Sequence, residues 1–597
     1  MAGRGRERVL IAFVLVFFIV LLGRLLDLQA IRHGEFARVA EKNQLQRERV
    51  PGPRGYITDR SGNILVDNVL NFEVVIPWRT DEDVADAVSR LSMYIPLDSV
   101  RVLDRFEAWK KKNGSLPFPV VPDADKLVIS FVRENTDLFP KLRVISKARR
   151  RHRYGQMAAH VLGYVGEVGD VELARTGDKK YFPGDMTGKT GLELACEKGL
   201  RGEDGQTALE VNASGRVMGE IPAYSFAPEI GQTVTLTLDL GLQRYLESLM
   251  AGKGGGAAVV MDVHDGSVLV AASAPSFDPN EFALGISSRH LQEVFEDEAR
   301  PLFNRVHQAR YPPASTLKVI GTYAILQNRL VDRSEVLVYC TGAYRFGNRV
   351  FRCWKPEGHG AMNLYTALVQ SCDVYFYKVA EIMDVDVLAD AAIAFGLDEK
   401  TGIDLAGELP GLVPTRAYYD RRMGKGRWTQ GHVLNNIIGQ GEFLVNSLHI
   451  LRMCAAVANG GYLVRPHLVH SIGDDPPVSF PRKKIPGLEG STLEFIRKGM
   501  EGVINDDDGT AHWTRLDWLS SAGKTGTAQN PHGDHHAWFT AYAPADDPEI
   551  AVVIIIENAG HGGEVAAPIV RDFFAEYFGA RLARGGENGE APEGETP

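Results

Sequence analysis

The stretch "YPPASTLK", residues 311–318, places Ser315 and Lys318 three positions apart directly after two prolines. If a helix begins at Ser315, that spacing puts the amine one turn on, on the face that carries the hydroxyl. A serine is a poor nucleophile until a base is held beside it. The amine serves as that base only when neutral, which calls for burial or a second cation nearby. A helix N-terminus also turns backbone N–H groups toward developing negative charge. Alone the motif is weak, because Ser-x-x-Lys recurs by chance on surface helices.

Two further motifs follow in order. "SCD" is Ser371, Cys372 and Asp373, and "KTGTAQ" runs from Lys524 to Gln529. The second precedes the apolar hairpin "HAWFTAYAPADDPEIAVVIIIEN", 536–558, as an edge strand facing a cleft would. Ser-x-x-Lys, a Ser-Asp-Asn-type triplet and Lys-Thr-Gly form the joint signature of penicillin-binding proteins and class A β-lactamases. Ser371 as a helix cap and Asp373 as a surface acid are the bland readings of single residues, and the ordered set outweighs them.

Outward from these motifs, 597 residues exceed one hydrophobic core and imply two to four domains. The 44% apolar and 24% charged fractions suit a folded body, and a net charge of −10 argues against a general nucleic-acid binder. Arg4, Arg6 and Arg8 precede "VLIAFVLVFFIVLLG", 9–23, long enough with its continuation to span a bilayer with its N-terminus in the cytoplasm. Arg24, Leu25, Leu26 and Asp27 follow where a cleavable signal peptide would need small residues, so an uncleaved anchor is expected. The reading is a cytoplasmic tail over 1–8, an anchor over 9–28, a domain over 29–235, a second over 236–582, and a disordered acidic tail over 583–597.

Within 29–235, "YITD" and "NILV" read as short strands about the turn "RSGN", and "DEDVADAVSRLSMYI" as an amphipathic helix. "KARRRHRYG", 147–155, is a basic run: a solvated face, or a contact for anionic glycan or lipid. "GQTVTLTLDLGLQ" marks a boundary near 235, after which "GAAVVMDVHDGSVLVAAS", 256–273, reads as a hairpin.

The whole chain resembles a class B penicillin-binding protein, a monofunctional peptidoglycan D,D-transpeptidase. The resemblance rests on the three motifs with "PRGYITDRSGNIL", "GKTGLELACEKGLRGEDG", "TGIDLAGELPGLVP", "IGQGE" and "NGGYLVRPHLV". Asp373, "HAWFTAYAPAD" and "ENAGHGGEVAAPIV" are similar to the elongation-type group, penicillin-binding protein 2. The resemblance implies an α+β multidomain fold: one transmembrane helix, an elongated, mainly β pedestal, and a transpeptidase domain with an antiparallel sheet flanked by helices. It implies that Ser315 attacks the penultimate D-alanine carbonyl of a pentapeptide stem, Lys318 takes its proton and Ser371 relays protons. Asp373 would orient the second motif. Lys524 would supply positive potential, Thr525, Gly526 and Thr527 would bind the substrate carboxylate, and the N–H groups of Ser315 and Thr527 would form the oxyanion hole. β-Lactams would acylate Ser315, and some carboxypeptidase activity is possible. Implied partners are a SEDS-family glycosyltransferase and MreC-like rod-complex proteins at the cell inner membrane, with the catalytic domain in the periplasm. Two departures stand out: Ala314 where the family often has Gly, and "FLVNSLHILRM", 443–453, where it has Thr-Pro-Leu-Gln. A division-type transpeptidase, a β-lactamase, and a β-lactam-binding scaffold or sensor remain as alternatives.

"FRCWKPEGHG", 351–360, adds a further feature. Cys340, Cys353, His359 and Cys372 gather in one Gly- and Pro-rich window of a chain with five cysteines. Buried thiols, one disulfide plus a free thiol, and a structural Zn²⁺ site of three thiolates and one imidazole all fit. Elongation-type relatives bind zinc in this region through mixed Asp, His and Cys ligands, so the resemblance favours zinc. Cys372 lies between Ser371 and Asp373, and in an extended loop it would face the metal while they face the cleft. Cys196 and Cys454 read as core.

Overall fold

The computed structural model describes residues 3–34, 45–76, 80–113, 116–174, 181–212, 217–283 and 288–586. Helix Gly3–Leu26 already includes most of the expected tail 1–8. Within Arg8–Ile31 an 18-residue window has a mean hydropathy of 3.0, and the helix is long enough to cross a membrane. At the other end, helix Gly562–Gly586 runs past the expected boundary at 582, and the rest of the acidic tail lies outside the described residues.

The chain forms two compact units. The smaller comprises 1–54 and 201–231. Its sheet pairs Leu45–Val50 with Gly205–Val211, which pairs in turn with Val217–Glu220, all antiparallel. Asp204 fixes one end, accepting from Arg49 Nε at 2.6 Å and from the Gly52 N–H at 3.1 Å.

The larger unit takes in 55–200 and 232–597. The expected boundary near 235 therefore does not separate two bodies. Val234–Leu236 is a strand of one six-stranded sheet, lying between Ile57–Thr58 and Val469–Ile472. In the same sheet the long strand Ile64–Ile76 pairs with Arg143–His152 over ten residues. Helices Asp81–Ser92, Ser99–Asn113 and Lys126–Glu134 accompany these strands and enclose their own core of Val84, Val88, Leu91, Phe106, Phe118 and Val132. Thr80 caps the first helix through the Asp83 N–H, and three acidic residues in its first turn complement the helix dipole.

The basic run 147–155 is largely a solvated face, with Lys147, Arg151 and Arg153 exposed, and its cations are paired rather than left open to an anion. Arg150 pairs with Glu193 in the interior at 2.6 Å, and Arg151 and Arg153 share Asp67. Lys147 pairs with Glu73 and Arg149 with Asp123. The run is a strand, Arg143–His152, whose basic residues find carboxylates on neighbouring elements.

The catalytic part is built on a five-stranded antiparallel sheet in the order 268–274, 256–262, 550–556, 536–543, 522–528. Both faces are covered, which is why "GAAVVMD" and "IAVVIII" are apolar without alternation. Alternate residues still divide between the two sides. Val259, Met261, Val553 and Ile555 join the main core with helix Ser447–Ala458, all twelve residues of which are buried. Val260, Val552 and Ile554 face Phe573 and Phe574 of the closing helix. The departure at 443–453 packs Phe443, Val445, Leu448 and Leu451 into the main core and adds polar ties: Asn446 caps that helix and donates to His307 O and Leu409 O, and His449 Nε2 donates to Glu399 O. Cys196 and Cys454 are buried in the same core.

Candidate active site

A cleft of about 560 Å³ is lined by Ser315, Ser371, Asp373, Thr525, Gly526 and Thr527, among others. Three separate parts of the chain deliver these residues. Ala314–Leu317 is a 3₁₀ turn, and the α-helix begins at Lys318 rather than at the expected Ser315. A 3₁₀ turn has three residues per turn, so side chains at i and i+3 eclipse, and Ser315 and Lys318 still share a face. The turn enters through Ala314 at φ 50, the left-handed region that explains a glycine preference there. Its N–H donates to Gly439 O at 2.8 Å, and a Cβ on Gly439 would lie 2.0 Å from Ala314 O, so residue 439 must be glycine.

Lys318 is fully buried and makes three hydrogen bonds: to Ser371 O at 2.7 Å, Ser371 Oγ at 3.2 Å and Asp373 Oδ1 at 2.6 Å. The amine thus ties the second motif to the first. Burial raises the Asp373 carboxyl above its ordinary range, and Lys318 opposes that rise. The other oxygen, Asp373 Oδ2, accepts from the Trp354 N–H at 3.0 Å.

The loop at the second motif is not extended as expected. Ser371 is left-handed at φ 54, Cys372 extended, and the helix Asp373–Ala380 starts at once. This kink, rather than strand alternation, lets Ser371 and Asp373 meet Lys318 while Cys372 joins Cys340, Cys353 and His359. The four ligand atoms of that group lie within 4.8 Å of one another. Both Cys340 Sγ and Cys353 Sγ are 3.6 Å from His359 Nδ1. Zn–S and Zn–N bonds of about 2.3 and 2.05 Å at a tetrahedral angle put sulfur and nitrogen about 3.6 Å apart, so the donor set fits zinc. All five cysteines are free, with no disulfide. The hydrogen bond between Cys372 and Cys353 lowers the Cys353 thiol and raises that of Cys372, so a thiolate is already favoured in the group.

The third motif is the edge strand Ala522–Ala528. Gly526 lets it lie against the serine turn, since a Cβ there would stand 3.0 Å from Trp538 Cβ and 3.1 Å from Thr316 Cγ2. Lys524 is fully buried, and burial together with Lys318 lowers its amine well below the ordinary lysine range. Thr510 Oγ1 lies 2.8 Å from Thr525 Oγ1 and orients that hydroxyl.

Sequence reasoning missed Gln440. Its Nε2 donates to Thr527 O at 3.1 Å and its Oε1 accepts from the Gln529 N–H at 3.4 Å. Next to Gly439, it connects the serine turn to the strand carrying Thr527. The signal was its place in "IGQGE", a loop between two glycines at positive φ, 439 and 441.

Comparison with known proteins agrees with this geometry. Residues 256–575 match the model of the penicillin-binding protein transpeptidase domain, and residues 49–236 that of the penicillin-binding protein dimerisation domain. The chain is 33% identical to the peptidoglycan D,D-transpeptidase MrdA of Haemophilus influenzae, over 96% of this chain and 92% of the relative. Identity to the Escherichia coli MrdA is 32%, over 94% and 92%. The structure is similar to that of Helicobacter pylori PBP2 in its complex with MreC, with a TM-score of 0.81, 30% identity, and coverage of 90% of this chain and all of that one. A structure described as coordinating polymerization and crosslinking in a peptidoglycan synthase complex matches with a TM-score of 0.72 and 30% identity, over 97% of this chain and 99% of that one.

Proposed function

The chain belongs to the class B penicillin-binding proteins of the PBP2 (MrdA) type, elongation-type peptidoglycan D,D-transpeptidases, and from that premise we propose that Ser315 is the acylated nucleophile. The observation that carries this is the convergence of Ser315, the Lys318–Ser371–Asp373 hydrogen-bond cluster and the Thr525–Thr527 strand on one cleft. Lys318, once it passes a proton into that cluster, takes the Ser315 proton as Oγ attacks the D-alanine carbonyl. The N–H groups of Ser315 and Thr527 stabilise the oxyanion. Thr525 and Thr527 bind the terminal carboxylate, whose charge draws a proton onto Lys524. The C–N bond to the last D-alanine breaks, and Ser371 passes the proton to the leaving amine. An acceptor amine then attacks the ester, forming the cross-link and returning a proton to Ser315. Water in place of the amine gives a carboxypeptidase side reaction.

Cys340, Cys353, His359 and Cys372 hold a structural zinc ion. Bound zinc supplies no chemistry to the reaction and would fix the backbone that carries Ser371 and Asp373. Metal analysis of the purified protein, prepared without added metal or chelator, should give about one zinc per chain; Cys353→Ser should lose it, and a metal-free wild type would overturn the assignment. The N-terminal helix anchors the chain in the inner membrane with the N-terminus in the cytoplasm and the catalytic part in the periplasm. The relative solved with MreC and the one in a synthase complex support rod-complex partners for this chain.

The test of the reaction uses glycan strands bearing pentapeptide stems. The full-length protein should release D-alanine and form dimeric muropeptides, and Ser315→Ala should form none. Dimers persisting in that variant would refute the assignment.

A further inference from the structure

The cleft has a lip whose charge the donor chemistry above does not use. The hairpin Ala343–Phe346 and Arg349–Arg352, with the residues just after it, carries Arg345, Arg349, Arg352 and Lys355 and no acidic residue before Glu357. A second segment, 421–427, carries Arg421, Arg422, Lys425 and Arg427. Seven of these eight are exposed, all but Lys355. None forms an ion pair among the described residues, although Arg422 donates to the Tyr418 hydroxyl. By contrast Arg416, a few residues away, is held by Asp384 and Asp386, and each Lys and Arg of the run 147–153 has a carboxylate partner. Three acids near the lip are engaged internally, while Glu357 is exposed and Glu564 lines the cleft. Asp420 accepts from the Gly426 N–H, Glu442 from the Tyr419 hydroxyl, and Glu381 from Lys378.

The hairpin reaches the cleft, and the helix that follows the second segment packs against the hairpin. Phe351 and Tyr344 of the hairpin pack on Tyr377, whose hydroxyl donates to Arg352 O. Gly431, in the helix that follows the second segment, stands with its Cβ position 3.9 Å from the Phe351 ring. Arg352 and Tyr377 themselves line the cleft. Of the eight cations, Arg352 stands on the same cleft wall as Ser371, with the others on or just after its hairpin and on the segment before the adjoining helix.

We infer that this lip binds the carboxylates of the acceptor, an anionic peptide that brings a primary amine to the acyl-enzyme, and so selects acceptors by charge. The inference rests on the transpeptidase reading. Guanidinium groups match carboxylates in bidentate geometry, and unpaired cations of one sign beside a cleft raise the local concentration of an anion. In the step they serve, the acceptor nitrogen bonds to the acyl carbon, the ester bond to Ser315 Oγ breaks, and the amine proton returns to that oxygen. The lip touches the acceptor away from the reacting atoms, so it governs partition of the acyl-enzyme and not its formation.

The test uses the full-length protein in detergent with a D-alanyl thioester donor. Two acceptor dipeptides are compared, identical except that one has a free carboxylate and the other a carboxamide. Wild type should direct the acyl group to the carboxylate acceptor, relative to water, roughly 5–10-fold better than to the carboxamide, a preference that falls as salt is raised toward about 0.5 M. Arg345→Glu with Arg421→Glu and Arg427→Glu should erase the preference while penicillin acylation stays within about twofold of wild type. The three lysine substitutions at the same positions should keep it. Equal use of both acceptors by wild type, or a preference that survives charge reversal or salt, overturns the inference. So does loss of binding to phosphatidylglycerol vesicles with acceptor preference intact, which would make the lip a lipid-headgroup surface. Should wild type fail to react with the donor at all, the transpeptidase reading itself falls.

Discussion

Ala314 holds a left-handed backbone at φ 50 and is fully buried, immediately before the nucleophile. A left-handed alanine costs about 1–2 kcal/mol, and a glycine there gives back about 0.5–1 kcal/mol of that gain through greater freedom in the unfolded chain. Ala314→Gly should therefore shift stability by about 1 kcal/mol or less. Ala314→Val, with a branched Cβ in the same conformation, should lose on the order of 2 kcal/mol or more by chemical denaturation. A valine variant as stable as wild type would contradict the strained turn. Gln440 acts one step further out, through Thr527 and Gln529. Gln440→Ala should slow β-lactam acylation about 10–100-fold with the melting temperature unchanged, since small displacements of an oxyanion donor are costly. Gln440→Glu should not restore the rate, because a carboxylate cannot donate to Thr527 O. Equal acylation rates in wild type and alanine variant would remove Gln440 from the site. Ser315, Lys318, Ser371 and Lys524 were legible as motifs because their chemistry is local in sequence. The kink at Ser371 was not, since nothing in "SCD" marks a left-handed serine.

At the scale of elements, the segment from Cys340 to the helix Asp373–Ala380 connects the metal group to the catalytic cluster twice. One link is the chain itself, Cys372 between Ser371 and Asp373; the other is the Trp354 N–H, next to Cys353, donating to Asp373 Oδ2. Cys353→Ser should slow penicillin acylation and lower the melting temperature while every cleft group is retained. Unchanged acylation kinetics and stability in that variant would show that the metal group does not support the motif. The four candidate ligands were visible in sequence through their content, and their convergence was not, because C-x₁₂-C-x₅-H-x₁₂-C matches no standard finger spacing. The basic run 147–155 shows the opposite limit. Its partners Asp67 and Glu193 lie tens of residues away, so sequence alone showed a solvated face but not the ion pairs that hold it.

For the whole molecule, the larger unit buries two histidines where the segment 55–200 packs with the catalytic part. His152 has neither ring nitrogen hydrogen-bonded, and His160 Nε2 donates to Pro301 O at 2.7 Å. Burial lowers both to about 4 from the ordinary 6.5. Between those values the unfolded chain binds protons that the folded chain refuses, so stability falls as pH drops from about 6.5 toward 4 and is independent of these groups above that range. At pH 5 the loss amounts to about 2 kcal/mol per histidine. His152→Leu should reduce the slope in melts from pH 7 to 5, and an unaltered slope would mean that the ring is solvated. The domain order and the five-stranded sheet were readable from hairpins and apolar runs. The division into compact units was not, because the strand Val234–Leu236, read as a boundary where a strand leads into a helix, completes a sheet with partners from both sides of it.

The account stands or falls on where the acyl group is carried. The full-length protein, incubated with benzylpenicillin and analysed by intact and peptide mass spectrometry, should gain one penicilloyl group, located on the peptide that contains Ser315 and missing from Ser315→Ala. An adduct on any other residue, or none on a folded wild-type protein, would contradict the assignment of the cleft.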